Sequence, residues 1–336
     1  MINQRRRNWI FFLFGIGLLA LFGFNVGSGS IAIAPADLLR ALVDDGERFH
    51  TIVWQFRLPK ALTCVLAGAA LGAGGLLMQT LFRNPLAGPD VLGLSSGASL
   101  AVALLLMTNP HALGWLTGPW SLATAAFVGS ALVFVVVMAV ARTITDNTSL
   151  LIIGLMISAA VSSMVAVLQY VSQAEDLQSF MIWSLGSVGG TQWSEIQVLA
   201  ALLAAGTLIL FFQVKAINGL LLGVNYAQSL GIHIGRTRFW MVTATSLLTG
   251  GVTAFCGPIA FVGLAVPHLV RLGVATTDHK TLLPLVMMGG AMLLLFCDLL
   301  AQGPGQSMVL PLNAVTSLIG APVVIWVVVR SKKLRL

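Results

Sequence analysis

Apolar residues run in long blocks along this chain, and polar residues are confined to the short stretches between them. Roughly 20 apolar residues cross the hydrocarbon of a bilayer. Ten stretches reach or approach that length: 9 to 27, 61 to 81, 92 to 107, 114 to 140, 149 to 168, 193 to 213, 239 to 256, 258 to 274, 282 to 301 and 313 to 329. The third and eighth are short. The pattern predicts an all-α polytopic membrane protein, one transmembrane domain over 1–336, whose loops are too small to be domains. Ten spans put both termini on one side and allow two five-span halves of opposite orientation, the inverted repeat of many transporters. Gly88-Pro89 followed by Gly93-Leu94 is echoed by Gly257-Pro258 followed by Gly263-Leu264. The plainer reading of those glycines is close helix approach in lipid.

One run breaks the pattern: Arg83-Asn84-Pro85-Leu86-Ala87-Gly88-Pro89-Asp90-Val91. Lipid offers no water to unpaired backbone groups, so two prolines beside apolar segments belong at a membrane edge or against a protein-lined cavity. Composition agrees with the membrane assignment, with 57% hydrophobic residues, 9% charged and a mean hydropathy of +0.95. No soluble core needs that much apolar surface. The first span, behind Arg5-Arg6-Arg7 and ahead of Ala32-Ile33-Ala34, is longer than the roughly 7 to 15 residues of a signal-peptide core and is predicted to be retained.

Charge orients the chain. With the N-terminus inside, only Arg40, Arg48, Arg57 and Lys60 of the 18 Lys and Arg fall outside, so the positive-inside rule puts both termini in the cytoplasm. The net charge of +7 follows from this topology and needs no nucleic-acid partner. Cys64, Cys256 and Cys297 lie in separate spans and read as small buried side chains. His50, His111, His233, His268 and His279 show no metal-ligand spacing, so no metal and no cofactor is expected in this chain.

An ion-coupled carrier usually keeps ionisable groups in mid-membrane. Here the spans are almost free of acids, and Asp298, near the outer end of the ninth, can reach interfacial water or a partner. No P-loop of the form GxxxxGK[ST] is present, so this chain does not bind ATP in that way. Either the permeant moves passively or another subunit supplies the work. The inner loop at about 216–238 bears on that choice. Leu220, Val224, Ala227 and Leu230 recur at three- and four-residue spacing between Gly219, Gly223 and Gly231, which predicts a short amphipathic helix. Its apolar face suits a partner groove or the lipid surface.

Arg57-Leu58-Pro59-Lys60, Gly68-Ala69-Ala70-Leu71, Arg83 to Pro89, Leu92-Gly93, Gly257 to Leu264, Val266-Pro267-His268-Leu269-Val270-Arg271 and Leu318-Ile319-Gly320-Ala321-Pro322 resemble the permease subunits of the FecCD type. Those serve ABC importers of iron-siderophores, haem and vitamin B12, and the resemblance covers nearly the whole chain. It implies a ten-helix, multi-pass permease of the inner membrane that pairs with a second permease subunit, as a homodimer or a heterodimer. Two cytoplasmic ATPase subunits, which hold the ATP and Mg, lie below, and a periplasmic or lipoprotein solute-binding protein sits above. The resemblance makes the loop helix, with Leu220, Gly223, Val224, Ala227, Leu230 and Gly231, the ATPase-coupling element. It places a cytoplasmic gate at Asn84, Pro85, Leu86, Asn147 and Thr148.

Ser158, Ser162, Ser163 and Gln169 of the fifth span are candidates for lining the cavity above that gate, against the alternative that membrane serines bond their own backbone. Arg57 and Lys60 take the place of the family's docking residues for the binding protein, each lifting its charge into water. The chain departs from the family twice, with Lys60 for an arginine and Gln302 where another arginine is common. An ion-coupled secondary transporter or channel for a metal chelate is the alternative. An intramembrane enzyme comes last, for want of paired acids or a His/Asp cluster.

Overall fold

In hydrocarbon each N–H and C=O has to be bonded within its own segment, so the apolar runs are expected to be helices. The computed structural model describes residues 4–108, 120–144, 146–274, 276–303 and 309–333. His111, Arg335, the stretch 114–119 of the fourth predicted span and the side chains of Arg330, Lys332 and Lys333 lie outside the described residues. Each of the ten predicted spans coincides with a helix: α1 (Gln4–Gly27), α3 (Leu58–Phe82), α4 (Leu94–Met107), α5 (Ser121–Ala141), α6 (Asn147–Val171), α8 (Trp193–Leu221), α10 (Ile234–Cys256), α11 (Val262–Gly273), α12 (His279–Gln302) and α13 (Leu312–Lys333). Seven are long and apolar enough to cross a membrane by that measure alone, while α4, α11 and α13 have shorter apolar stretches. Between spans, the described residues also form α2 (Pro35–Val43), α7 (Ala174–Ser184) and α9 (Val224–Ser229), with single turns at His50–Ile52 and Pro89–Leu92. A π-helical turn, Val53–Arg57, leads into α3.

Packing divides the chain into two compact units that do not follow its two halves. The first comprises Met1–Ala73, Ser187–Ala201 and Ile259–Leu336. In it α1 lies along α12, and α11, α12 and α13 pack on one another. The first part of α3 crosses α12 backbone to backbone: a Cβ on Gly68 would stand 2.2 Å from the Gly290 carbonyl oxygen, and one on Gly290 2.1 Å from that of Gly68. Small residues are what permit such crossings in lipid, where dispersion contacts and not the hydrophobic effect hold helices together.

The second unit comprises Gly74–Gly186 and Leu202–Pro258. Its centre is the α4–α5 crossing, where Gly97 and Gly129 play the same part, and the Ser130 hydroxyl donates to the Leu94 carbonyl at 3.0 Å. Ala98, Val102, Ala103, Ala126 and Phe180 fill the adjoining core. Apolar character does not separate inner from outer helices. The span ending in α3 has a mean hydropathy of 1.9 and is 83% buried over its most apolar window, whereas α6, at 2.4, is 17% buried.

Candidate functional site

The loop after α8 is braced from within. At Gly223 the backbone takes φ 120° and at Gly231 φ 80°, conformations that favour glycine, and the six-residue α9 lies between them. Arg83 donates to the Leu220 carbonyl at 2.5 Å, holding the end of α8. The stripe of Leu220, Val224, Ala227 and Leu230 does not face outward as one surface. Leu220 and Ala227 are buried, Val224 is half-buried, and only Leu230 is exposed. The exposed apolar side chains of the loop are instead Leu222, ahead of the helix, and Tyr226 and Leu230, at 63%, 55% and 57%. In so short a helix apolar residues occur on more than one side, beside the exposed Asn225, Gln228 and Ser229, so periodicity finds the helix and burial decides which apolar residues are free.

At the other inner break, α3 ends on Arg83 at φ 49°, and Asn84 turns the chain by accepting the Leu86 N–H on its side-chain oxygen at 2.9 Å. Asp146 caps α6 through the Ser149 N–H at 2.7 Å and its hydroxyl at 2.9 Å. Those bonds, helped by the Arg238 charge, hold its carboxyl below the usual range. Asn147 donates to the Leu81 carbonyl at 2.6 Å and accepts from Arg238 at 2.6 Å, and Arg238 also donates to the Ile144 carbonyl at 2.7 Å. The two predicted gate segments are thus brought together by an internal tie. Asn147 is part of that tie, whereas Pro85, Leu86 and Thr148 remain exposed. Arg238 is the member the sequence did not single out; its signal there is only that of one more inner cation.

On α6 the four polar candidates do not converge. Ser163 donates to the Ala159 carbonyl of its own helix at 2.9 Å, Ser162 is exposed, and Gln169 is half-buried. Among the described residues the Ser158 hydroxyl is buried without a hydrogen-bond partner, against Gly93, where a Cβ would stand 2.9 Å from it. Large apolar side chains dominate the free surface of this helix, with Met156, Met164, Val167 and Tyr170 exposed.

At the outer end the expectation for Arg57 and Lys60 is corrected: neither holds its charge in water. Arg57 is 5% exposed and donates to the Val26 carbonyl at 3.1 Å, the Gly27 carbonyl at 2.9 Å and the Ile31 carbonyl. Last-turn carbonyls have no partner within their own helix, and the Arg57 fork satisfies two of them at the end of α1. The Lys60 ammonium lies 3.1 Å from the buried carboxylate of Asp298, which also accepts from Asn25 at 2.7 Å and Gln302 at 2.6 Å. A buried carboxylate needs such partners, because desolvation costs several kcal/mol when it stands alone. Gln302 is thereby accounted for as an Asp298 partner. Among the described residues no three His, Cys, Asp or Glu side chains form a metal-holding group, and the cysteines are buried in separate helices.

Ten apolar helices among the described residues, two of them short and entered through broken backbone, together with a braced loop, define a polytopic membrane protein. The chain belongs to the FecCD transport family, whose profile matches residues 17–330. It is 36% identical over 327 residues to the hemin transport system permease protein HmuU of Yersinia pestis, covering 97% of this chain and 96% of the other. It is 36% identical over 334 residues to the vitamin B12 import system permease protein BtuC of Klebsiella pneumoniae, covering 98% and 96%. Among solved structures, an ABC transporter of metal-chelate type in an inward-facing conformation matches 96% of this chain and 99% of its own, with a TM-score of 0.85 and 26% identity. Of the three classes the sequence left in competition, the transport permease is the one these relatives share.

Proposed function

We propose that this chain is the membrane-spanning subunit of an ATP-driven importer in the inner membrane, and that it pairs with a second permease subunit around a pathway for a bulky metal chelate. Ferric siderophores, haem and cobalamin are the candidate substrates, the last two being named for relatives at 36% identity. Two cytoplasmic ATPase subunits bind the ATP and Mg, and a solute-binding protein delivers the chelate from outside. The observation that carries this reading is the braced loop, with Leu222, Tyr226 and Leu230 exposed on a segment bounded by Gly223 and Gly231. Exposed apolar patches of this kind serve as docking surfaces, and the ATPase fits it in a chain that carries no nucleotide motif of its own.

Nucleotide-driven movement of the ATPases acts on this loop and biases the permease between inward-open and outward-open states. Leu86 and Thr148, exposed beside the Asn147–Arg238 tie, meet their counterparts in the second subunit as the cytoplasmic constriction. Arg57 and Lys60 support the outer face from within, by holding the ends of α1, α3 and α12.

Reconstitution with its ATPase and binding-protein partners tests the reading, using labelled haem, cobalamin and a ferric siderophore. Uptake of one of them is expected to need ATP and to ignore ion gradients. Tyr226→Glu with Leu230→Glu leaves the protein inserted and uncouples hydrolysis from uptake. Gradient-driven uptake by the chain alone, without ATPase, would overturn the proposal.

A further inference from the structure

The inner basic residues divide into two kinds. Arg83 and Arg238 are committed to carbonyl and amide groups of their own unit. Lys215, near the end of α8, and Arg236, on the first turn of α10, make no ion pair and no side-chain hydrogen bond among the described residues. These two line one cavity of about 440 Å³, together with Phe212, Gln213, His233 and Thr237, and no acidic side chain is on its wall. A second cavity of about 620 Å³ shares His233 and Arg236 and extends toward Gln228.

Depth identifies what such a cavity meets. At 1.5 Å per residue, the roughly 20 residues that cross the hydrocarbon carry α8 from Trp193 to Gln213. The Lys215 and Arg236 charges then stand at headgroup level on the side the charge rule makes cytoplasmic. Below them in the hydrocarbon, Leu208, Phe211 and Phe212 are 57%, 72% and 71% exposed, an apolar track leading from the cavity along α8.

We propose that this cavity is a binding site for an anionic phospholipid of the cytoplasmic leaflet. Its phosphate lies between Lys215 and Arg236, and an acyl chain runs over Phe212 and Phe211. Unpaired cations around a cavity at headgroup depth, with an apolar track beneath, are what an anionic lipid complements. The site also borders Leu230, Gly231 and Ile232, the end of the loop proposed above to meet the ATPase, so an occupying lipid steadies that loop. Only this last consequence rests on the ABC-importer reading; lipid binding itself does not.

The test uses the full-length permease, without ATPase, in nanodiscs of phosphatidylcholine with increasing phosphatidylglycerol, the lipid retained on extraction being counted by native mass spectrometry. Wild type is expected to retain phosphatidylglycerol in preference to phosphatidylcholine. A basic residue at the surface is worth about fivefold in such binding, so Lys215→Gln with Arg236→Gln lowers the preference roughly 25-fold. Lys280→Gln, which removes an exposed cation elsewhere, leaves it unchanged. Equal retention of the two lipids by wild type, or an undiminished preference in the double variant, would overturn the site. So would displacement of the lipid by glycerol phosphate alone, or by added ATPase, which would make the cavity an anion or protein surface.

Discussion

The two short spans, α4 and α11, begin with the same backbone device and fill it with different residues. Each follows a Gly-Pro pair, and each starts from a left-handed residue: Gly93 at φ 77° before α4, Phe261 at φ 67° before α11. The glycines trade places. Gly88 has an ordinary φ of −86° and leaves the left-handed position to Gly93, whereas Gly257 is itself left-handed, at φ 70°, and comes before a left-handed phenylalanine. A side chain in that conformation costs roughly 1–2 kcal/mol. At Phe261 the surroundings supply the compensation. The Ala260 N–H donates to the Asn313 side-chain oxygen at 3.1 Å, and Phe261 seats on Gly320, where a Cβ would lie 2.4 Å from its own Cβ. One break is therefore met locally by a residue without a Cβ, and the other is held by tertiary contacts with α13.

The largest test of that contrast is Gly320→Ala. The new Cβ collides with a Cβ and not with a movable side-chain end, so about 1–3 kcal/mol of stability is expected to be lost, read as an earlier thermal transition of the detergent-solubilised protein. Adding Phe261→Gly should recover most of it; a wild-type transition for Gly320→Ala would show that α13 does not clamp Phe261.

Gly93→Ala comes next, at about 1–2 kcal/mol for the left-handed backbone, with close contact to the Ser158 hydroxyl at 2.9 Å in addition. Ser158→Ala relieves only the contact, so the double variant stays below wild type. Phe261 itself provides an inverted ranking. Phe261→Ala keeps the strain and loses the ring, while Phe261→Gly loses both, so the glycine variant should melt above the alanine variant by about 1 kcal/mol. The reverse order would mean that the backbone there is not strained.

The smallest effect belongs to Asn313→Ala, which removes one acceptor and is expected to cost about 0.5–1.5 kcal/mol. Asn313→Asp retains the acceptor and should stay closer to wild type in the same melting assay.

The same division between local and tertiary causes runs through the site. The ten spans were legible because lipid imposes a length and an apolar composition on each crossing, and the loop helix was legible because three- and four-residue spacing is a local property. Gly68 stood in a recognisable stretch, yet its meeting with Gly290 lies 222 positions away and has no local signature. Arg57 and Lys60 read as surface cations beside a span, because sequence shows a charge and not its neighbour. Asp298, noted only as an acid near the end of a span, turned out to be the neighbour of Lys60.

What the residues determined by themselves is the class of molecule: ten apolar crossings, a break after Arg83, an inner loop with helical spacing, and motifs specific enough to point to a family. These follow from composition and from spacings of a few residues, which one segment carries alone. Tertiary structure decided which face of α9 is free, which cations are spent on carbonyls and carboxylates, and why a phenylalanine can stand where glycine is the easy choice. Burial and pairing belong to two segments at once, and a charge or a strained backbone takes its role from whichever partner the fold brings within hydrogen-bond or van der Waals reach.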